Sequence, residues 1–251
     1  MKLKFTYPVI VLTIFVLLVV CGGTIYGLKD MSNKKTVEKE TVFTYLSPYV
    51  VISPFDAHFR RAADVLDYDW TLVAAIAYTE SRFDSTAVSE AGAMGVMQVM
   101  PKTMEGMGIP DSLYIQPQMN IIAATELIRS LERHYRYVKD KNERLNFVLA
   151  SYNAGYGHIN DAMRLARKYG KNRHKWYGNV DTFLIYKSEE EYYTDTLCRN
   201  GQFNGWKETL SFVNKVHRNW QRFAKLQQQY TDSINKVVAS DSTKRISDNG
   251  R

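Results

Sequence analysis

The run Leu72-Val73-Ala74-Ala75-Ile76-Ala77 is the strongest constraint on how this chain folds. Asp69 offers a side-chain oxygen to cap a helix from Trp70 to about Arg82, and the apolar run leaves that helix without a polar face. A helix that is apolar all round sits inside a domain, wrapped by other elements. Glu80 stands near its end. Val73, Ile76 and Ala77 share the face of Glu80, and its helical partner positions hold Ile76, Ala77, Phe83 and Asp84, so no Lys or Arg is placed to pair with it. Burial without a cation raises a carboxyl pKa, and a Glu kept protonated near neutral pH can act as a general acid. The competing reading lets Glu80 reach solvent at the helix end or cap a backbone group.

The remaining pattern is also helical. Ser53-Pro54 reads as a cap with Pro at the first helical position, opening a helix to about Leu66. Pro101 opens a short helix, and Asn120 caps a long one over Ile121 to about Tyr137. Further helices run from about Glu143 to Ala154, stopping at Gly155, and from His158 to Tyr169, stopping at Gly170. A last helix starts near Glu208 with Phe212, Val213, Val216, Trp220 and Phe223 on one face. Residues 84–100, rich in Gly, Ser, Ala and Met, read as irregular. Residues 171–207 are aromatic and charged without clear periodicity and read as a long loop or small hairpin. The expected organisation is an N-terminal apolar segment (1–28), a mixed linker (29–52), one mainly α domain (53–230) and a disordered polar tail (231–251).

Residues 5–28 carry no charge, with Lys2 and Lys4 before them and Lys29 after, which suffices for a membrane-spanning helix with the rest of the chain outside the cytoplasm. Residues 8–28 are read as a retained anchor, as a lipoprotein signal cleaved before Cys21, or as a signal cleaved elsewhere; all three export the domain. Inner and outer membrane remain alternatives. With Cys21 inside this segment, Cys198 has no obvious partner and a disulfide framework is excluded. The net charge of +7 is spread along the chain without a nucleic-acid-binding signature. The five His (58, 134, 158, 174 and 217) show no metal-ligand spacing, so neither metal nor cofactor is expected.

Four motifs follow one another in order: Glu80-Ser81; Gly92-Ala93-Met94-Gly95-Val96-Met97-Gln98-Val99-Met100-Pro101; Ser151-Tyr152-Asn153-Ala154-Gly155; and Glu208-Thr209-Leu210-Ser211-Phe212-Val213. Over roughly residues 55–225 the chain resembles the catalytic domain of family 1 lytic transglycosylases, which has a lysozyme-like (goose-lysozyme/SLT) fold. Asp69-Trp70 and the aromatic segment before Glu208 are similar to the membrane-bound lytic murein transglycosylase F branch, although the amino-acid-binding-like domain that often precedes that catalytic domain has no counterpart in these 251 residues.

The resemblance implies cleavage of the β-1,4 bond between N-acetylmuramic acid and N-acetylglucosamine in peptidoglycan. Glu80 would protonate the bridging oxygen and then accept the proton of the muramic C6 hydroxyl as that hydroxyl closes a 1,6-anhydro ring. By motif position, Ser81, Ser89, Gly92, Gln98 and Met100 line the groove with Gly95, Tyr152 and Asn153 sit opposite, and Glu208 helps orient the site. Phe212 departs from the Tyr usual in the last motif, which leaves a packing role and no hydroxyl. Two alternatives remain: a goose-type muramidase, with Asp84, Glu90 or Asp111 holding a water, and a non-catalytic glycan-binding module. The expected partners are peptidoglycan glycan strands and, through the N-terminal segment, a membrane.

Overall fold

The structure, a computed structural model, describes residues 47–249. The apolar N-terminal segment and most of the linker lie outside the described residues, and no described helix is long and apolar enough to cross a membrane. Val50–Tyr230 forms one compact unit. The described residues hold nine α-helices: α1 (Asp56–Leu66), α2 (Trp70–Ser81), α3 (Pro101–Gly106), α4 (Pro117–His134), α5 (Lys141–Ala154), α6 (Tyr156–Lys168), α7 (Asp181–Tyr186), α8 (Glu190–Tyr193) and α9 (Trp206–Asn249). The mainly α class is borne out.

Helix α2 is the centre. The Asp69 side chain accepts the Thr71 N–H at 2.7 Å, and every residue from Trp70 to Ala77 is buried. Helix α1 packs against it, and Asn219 of α9 donates to the Thr79 hydroxyl at 3.0 Å. Arg82 and Phe83 both adopt positive φ, 56° and 69°, at a backbone cost of about 1–3 kcal/mol each. Burial of the Phe83 ring among Phe59, Tyr78 and Phe223, with centroids 5.4–6.3 Å away, offsets that cost.

Two helix starts differ from expectation. Ser53 does not cap α1. The Asp56 carboxylate folds back to accept the N–H groups of Ile52 and Ser53 and the Ser53 hydroxyl, and the helix begins at Asp56, two residues after Pro54. Asn120 is not a cap either. Helix α4 starts at Pro117, and Asn120 lies buried in its first turn with its amide turned to another segment.

Residues 171–207 form neither a long loop nor a hairpin; they hold a wide turn at Trp176–Val180, then α7 and α8. The buried positions Trp176, Val180, Phe183, Leu184 and Lys187 follow helical spacing, but Gly178 interrupts the pattern and Lys187 counts as polar by sequence. Lys187 is fully buried, and its ammonium donates to Asp161 at 2.6 Å. Asp161 of α6, also fully buried, accepts from Arg164, from the N–H groups of Arg199 and Asn200 and from the Asn200 amide, so one carboxylate ties α6, α7 and the 195–200 segment together. Helix α9 continues to Asn249, through the expected disordered tail, where Gly and Pro are absent until Gly250 and nothing breaks the backbone bonding.

Asp161→Ala leaves the Lys187 ammonium buried without a counter-charge. It is expected to cost about 3–5 kcal/mol in urea unfolding, with partial recovery on adding Lys187→Met.

Candidate active site

Glu80 is the next-to-last residue of α2. Its carboxyl makes no hydrogen bond or ion pair among the described residues. Burial, with the charge of Glu208 from α9 adding to it, raises its pKa to about 8. The sequence-based expectation of a buried carboxyl without a cation agrees with this environment. The helix end leaves Glu80 only partly exposed, and the 84–100 segment is tied beside it: the Ser81 hydroxyl donates to the Val96 carbonyl at 2.8 Å.

That segment is built from short-range bonds. Val88 bridges to Met94, and Met94 to Val99, in the antiparallel sense. The Asn120 amide pins it to α4: Oδ1 accepts the Met97 N–H at 2.8 Å, while Nδ2 donates to the Met94 and Tyr114 carbonyls at 2.8 and 3.0 Å. Gly95 permits this approach, since a Cβ there would lie 2.7 Å from the Asn120 amide, and its φ of 76° disfavours any side chain. Sequence reasoning missed Asn120 as a support, because Asn near a helix start reads first as a cap.

Gln98 sits at φ 49°, and its amide donates to the Ala87 and Gly95 carbonyls at 3.1 and 2.9 Å. Its Nε2 is thereby committed to holding the segment, and Oε1 is the end left for a ligand. The Ser89 hydroxyl accepts the Ala93 N–H at 2.9 Å and closes the turn containing Gly92, whose φ is 86°. Met100 is exposed and precedes α3.

From the opposite side, the Tyr152 hydroxyl near the end of α5 donates to the Met97 carbonyl at 2.7 Å. Burial and the charge of Glu80 push its pKa well above the usual tyrosine range, so it stays a neutral donor. Phe212 of α9 is buried and stacks on the Tyr152 ring, with centroids 6.3 Å apart and planes 7° from parallel. Here the departure from Tyr serves packing. Thr209, fully buried on α9 and passed over within its motif by sequence, donates to Asn153 Oδ1 at 2.7 Å, which leaves Asn153 Nδ2 as the free donor. Glu208 is exposed beside it. Asp84, a candidate second carboxylate, is fully exposed and is held below the usual range by hydrogen bonds from the Thr86 hydroxyl and N–H.

Residues 58–175 match the family model described as "Transglycosylase SLT domain". The chain carries an SLT domain. A relative named membrane-bound lytic murein transglycosylase F from Desulfosudis oleivorans is 35% identical over 168 residues, covering 67% of this chain and 36% of the relative. A protein of the same name from Pseudomonas fluorescens is 31% identical over 204 residues, covering 78% of this chain and 40% of the relative. The chain thus spans well under half the length of these relatives. Among solved structures, the 70 kDa soluble lytic transglycosylase of Escherichia coli aligns with 70% of this chain and 25% of that one, at 20% identity and a TM-score of 0.49. Three of the four motifs lie within the matched residues and the fourth, on α9, joins them in space: α2 supplies Glu80, the 84–100 segment packs beside it, α5 brings Tyr152 and α9 brings Phe212.

Between the ordinary carboxyl range and about pH 8, folded Glu80 holds a proton that the unfolded chain has released, so stability falls as pH rises through that window. The melting temperature of a Glu80→Gln variant, relative to the parent, is expected to rise from pH 5 to pH 9. A constant difference across that range would contradict the burial of the carboxyl.

Proposed function

We propose that this chain is a peptidoglycan lytic transglycosylase, cleaving the β-1,4 bond between N-acetylmuramic acid and N-acetylglucosamine and leaving 1,6-anhydromuramic ends. The observation that carries the reading is the Glu80 carboxyl, buried without a cation and protonated up to about pH 8. The names of the SLT-domain relatives point the same way. A protonated Glu can give its proton to the glycosidic oxygen as C1 takes on positive charge, and the resulting carboxylate then takes the proton of the C6 hydroxyl as that oxygen attacks C1. The nucleophile is already in the substrate, so proximity replaces a second carboxylate.

Around this carboxyl, Asn153 Nδ2 and Gln98 Oε1 are the polar ends proposed to meet sugar, while Ser89, Gly92 and Met100 line the approach. Tyr152 stays a neutral hydroxyl beside Glu80 and fixes the Met97 carbonyl. Glu208 acts through its charge, keeping the Glu80 proton on at neutral pH. Ser81 and Phe212 are proposed to hold the walls of the groove. The membrane-bound naming of the relatives supports an exported, membrane-attached location, with residues 8–28 or a lipidated Cys21 as the attachment.

Mass spectrometry of purified peptidoglycan digests is expected to show anhydromuropeptides with the parent chain and at least about 1,000-fold less product with Glu80→Gln. Reducing ends in place of anhydro ends would assign the chain to the hydrolases, and binding without turnover by the parent would make it a binding module. Removing the neighbouring charge with Glu208→Gln eases ionisation of Glu80, so the alkaline limb of its pH–rate profile is expected to move to lower pH.

A further inference from the structure

A second concavity lies at the other end of the helices that carry the site. Asp69 begins α2 and Asp140 begins α5, whereas Glu80 and Asn153 stand near the C-terminal ends of the same two helices. At 1.5 Å of rise per residue, Asp69 and Glu80 are about 16 Å apart along α2. The cavity at the first end has a volume of about 830 Å³, and Trp220, Gln221 and Tyr177 also line it.

Its lining is more than a pair of helix caps. Asp69 uses Oδ1 for both the N–H and the hydroxyl of Thr71, and Asp140 uses Oδ1 for the N–H groups of Asn142 and Glu143, so each cap leaves Oδ2 without a hydrogen bond. The side-chain amides of Asn142 and Gln221 make no hydrogen bond among the described residues. The Tyr177 hydroxyl donates to Asn214 at 3.0 Å, which steadies a ring that is 53% exposed. Trp220 backs onto the core while lining the cavity. Neither Lys nor Arg lines it, although the chain carries a net charge of +7.

Free carboxylate oxygens accept from hydroxyls, amides can both donate to and accept from an acetamido group, and aromatic faces cover the apolar face of a pyranose ring. An anionic ligand would meet carboxylates and no cation. We propose that this cavity is a second sugar site, binding an uncharged N-acetylated stretch of glycan remote from Glu80. It would hold the chain on a neighbouring strand while the Glu80 groove works on another. The choice of glycan rests on the lytic transglycosylase reading.

The test uses the full chain in detergent. With Glu80→Gln present to prevent cleavage, adding Tyr177→Ala or Gln221→Ala is expected to lower the fraction sedimenting with insoluble peptidoglycan at least threefold, while Tyr177→Phe keeps the ring and the binding. On the active chain, the same alanine substitutions are expected to leave cleavage of a short soluble glycan fragment unchanged. An N-acetylglucosamine tetrasaccharide should perturb the indole signal of Trp220 in NMR spectra, even with Glu80→Gln present. Sedimentation that ignores both alanine substitutions would overturn the proposal, as would cleavage of the short fragment falling in step with binding, which would make the cavity part of the catalytic groove. If the parent produces no anhydro ends yet its sedimentation still depends on Tyr177, the catalytic reading fails and the sugar site stands.

Discussion

Helix α2 has to be covered on every side, and the rest of the domain is arranged around that need. Its buried residues run without a break from Trp70 to Ala77, so no surface of that stretch is left for water. Helix α1 takes one side, and α9 reaches the C-terminal turn through Asn219 and Phe223. The 84–100 segment closes the end through Val96. A carboxyl placed in the last turn of such a helix inherits the desolvation of its neighbours, and this moves Glu80 towards a neutral-pH acid. The same burial that stabilises the domain thereby tunes the proposed catalyst.

The covering segment is short of regular structure and depends on side chains for its shape. Asn120 supplies three hydrogen bonds to backbone groups in and beside it, and Gln98 supplies two more from within. The Met97 N–H depends on Asn120 for its bond, while the Met94, Ala87 and Gly95 carbonyls gain a second donor beside the N–H groups of Val99, Gly95 and Gln98. Tyr152 completes the enclosure by bonding to the Met97 carbonyl, whose own N–H is held by Asn120. The wall around Glu80 is thus a relay from α4 through the segment to α5, with Phe212 packing behind it.

Much of this was legible along the chain. The Asp69 cap and the apolar helix after it needed only local physics, because a cap bond spans two residues and burial on all sides leaves a compositional trace. The stops at Gly155 and at Gly170 were readable for similar reasons. Misreadings arose where a side chain that could cap a helix is engaged by another group, near or far in the chain. Ser53 looked like a cap but is bonded by Asp56, and Asn120 looked like a cap but serves Met94 and Met97, 26 and 23 residues away. Lys187 hid the helical spacing of 176–187, because a buried lysine reads as a surface residue until its partner Asp161 is known.

The sequence by itself determined that the domain is helical, that one helix is buried, and that a carboxyl without a local cation lies on it, since these follow from the spacing of residues within a few turns. Membership of the SLT family was likewise carried by the order of four short motifs. Tertiary structure alone decided what surrounds that carboxyl. Glu208 lies 128 residues from Glu80 in the chain, yet its charge joins burial in raising the pKa. The free end of Asn153 is set by Thr209, and the cavity between the starts of α2 and α5 exists only once α9 crosses them. Desolvation and charge act through space, and a linear pattern records only the part of space that one helix spans.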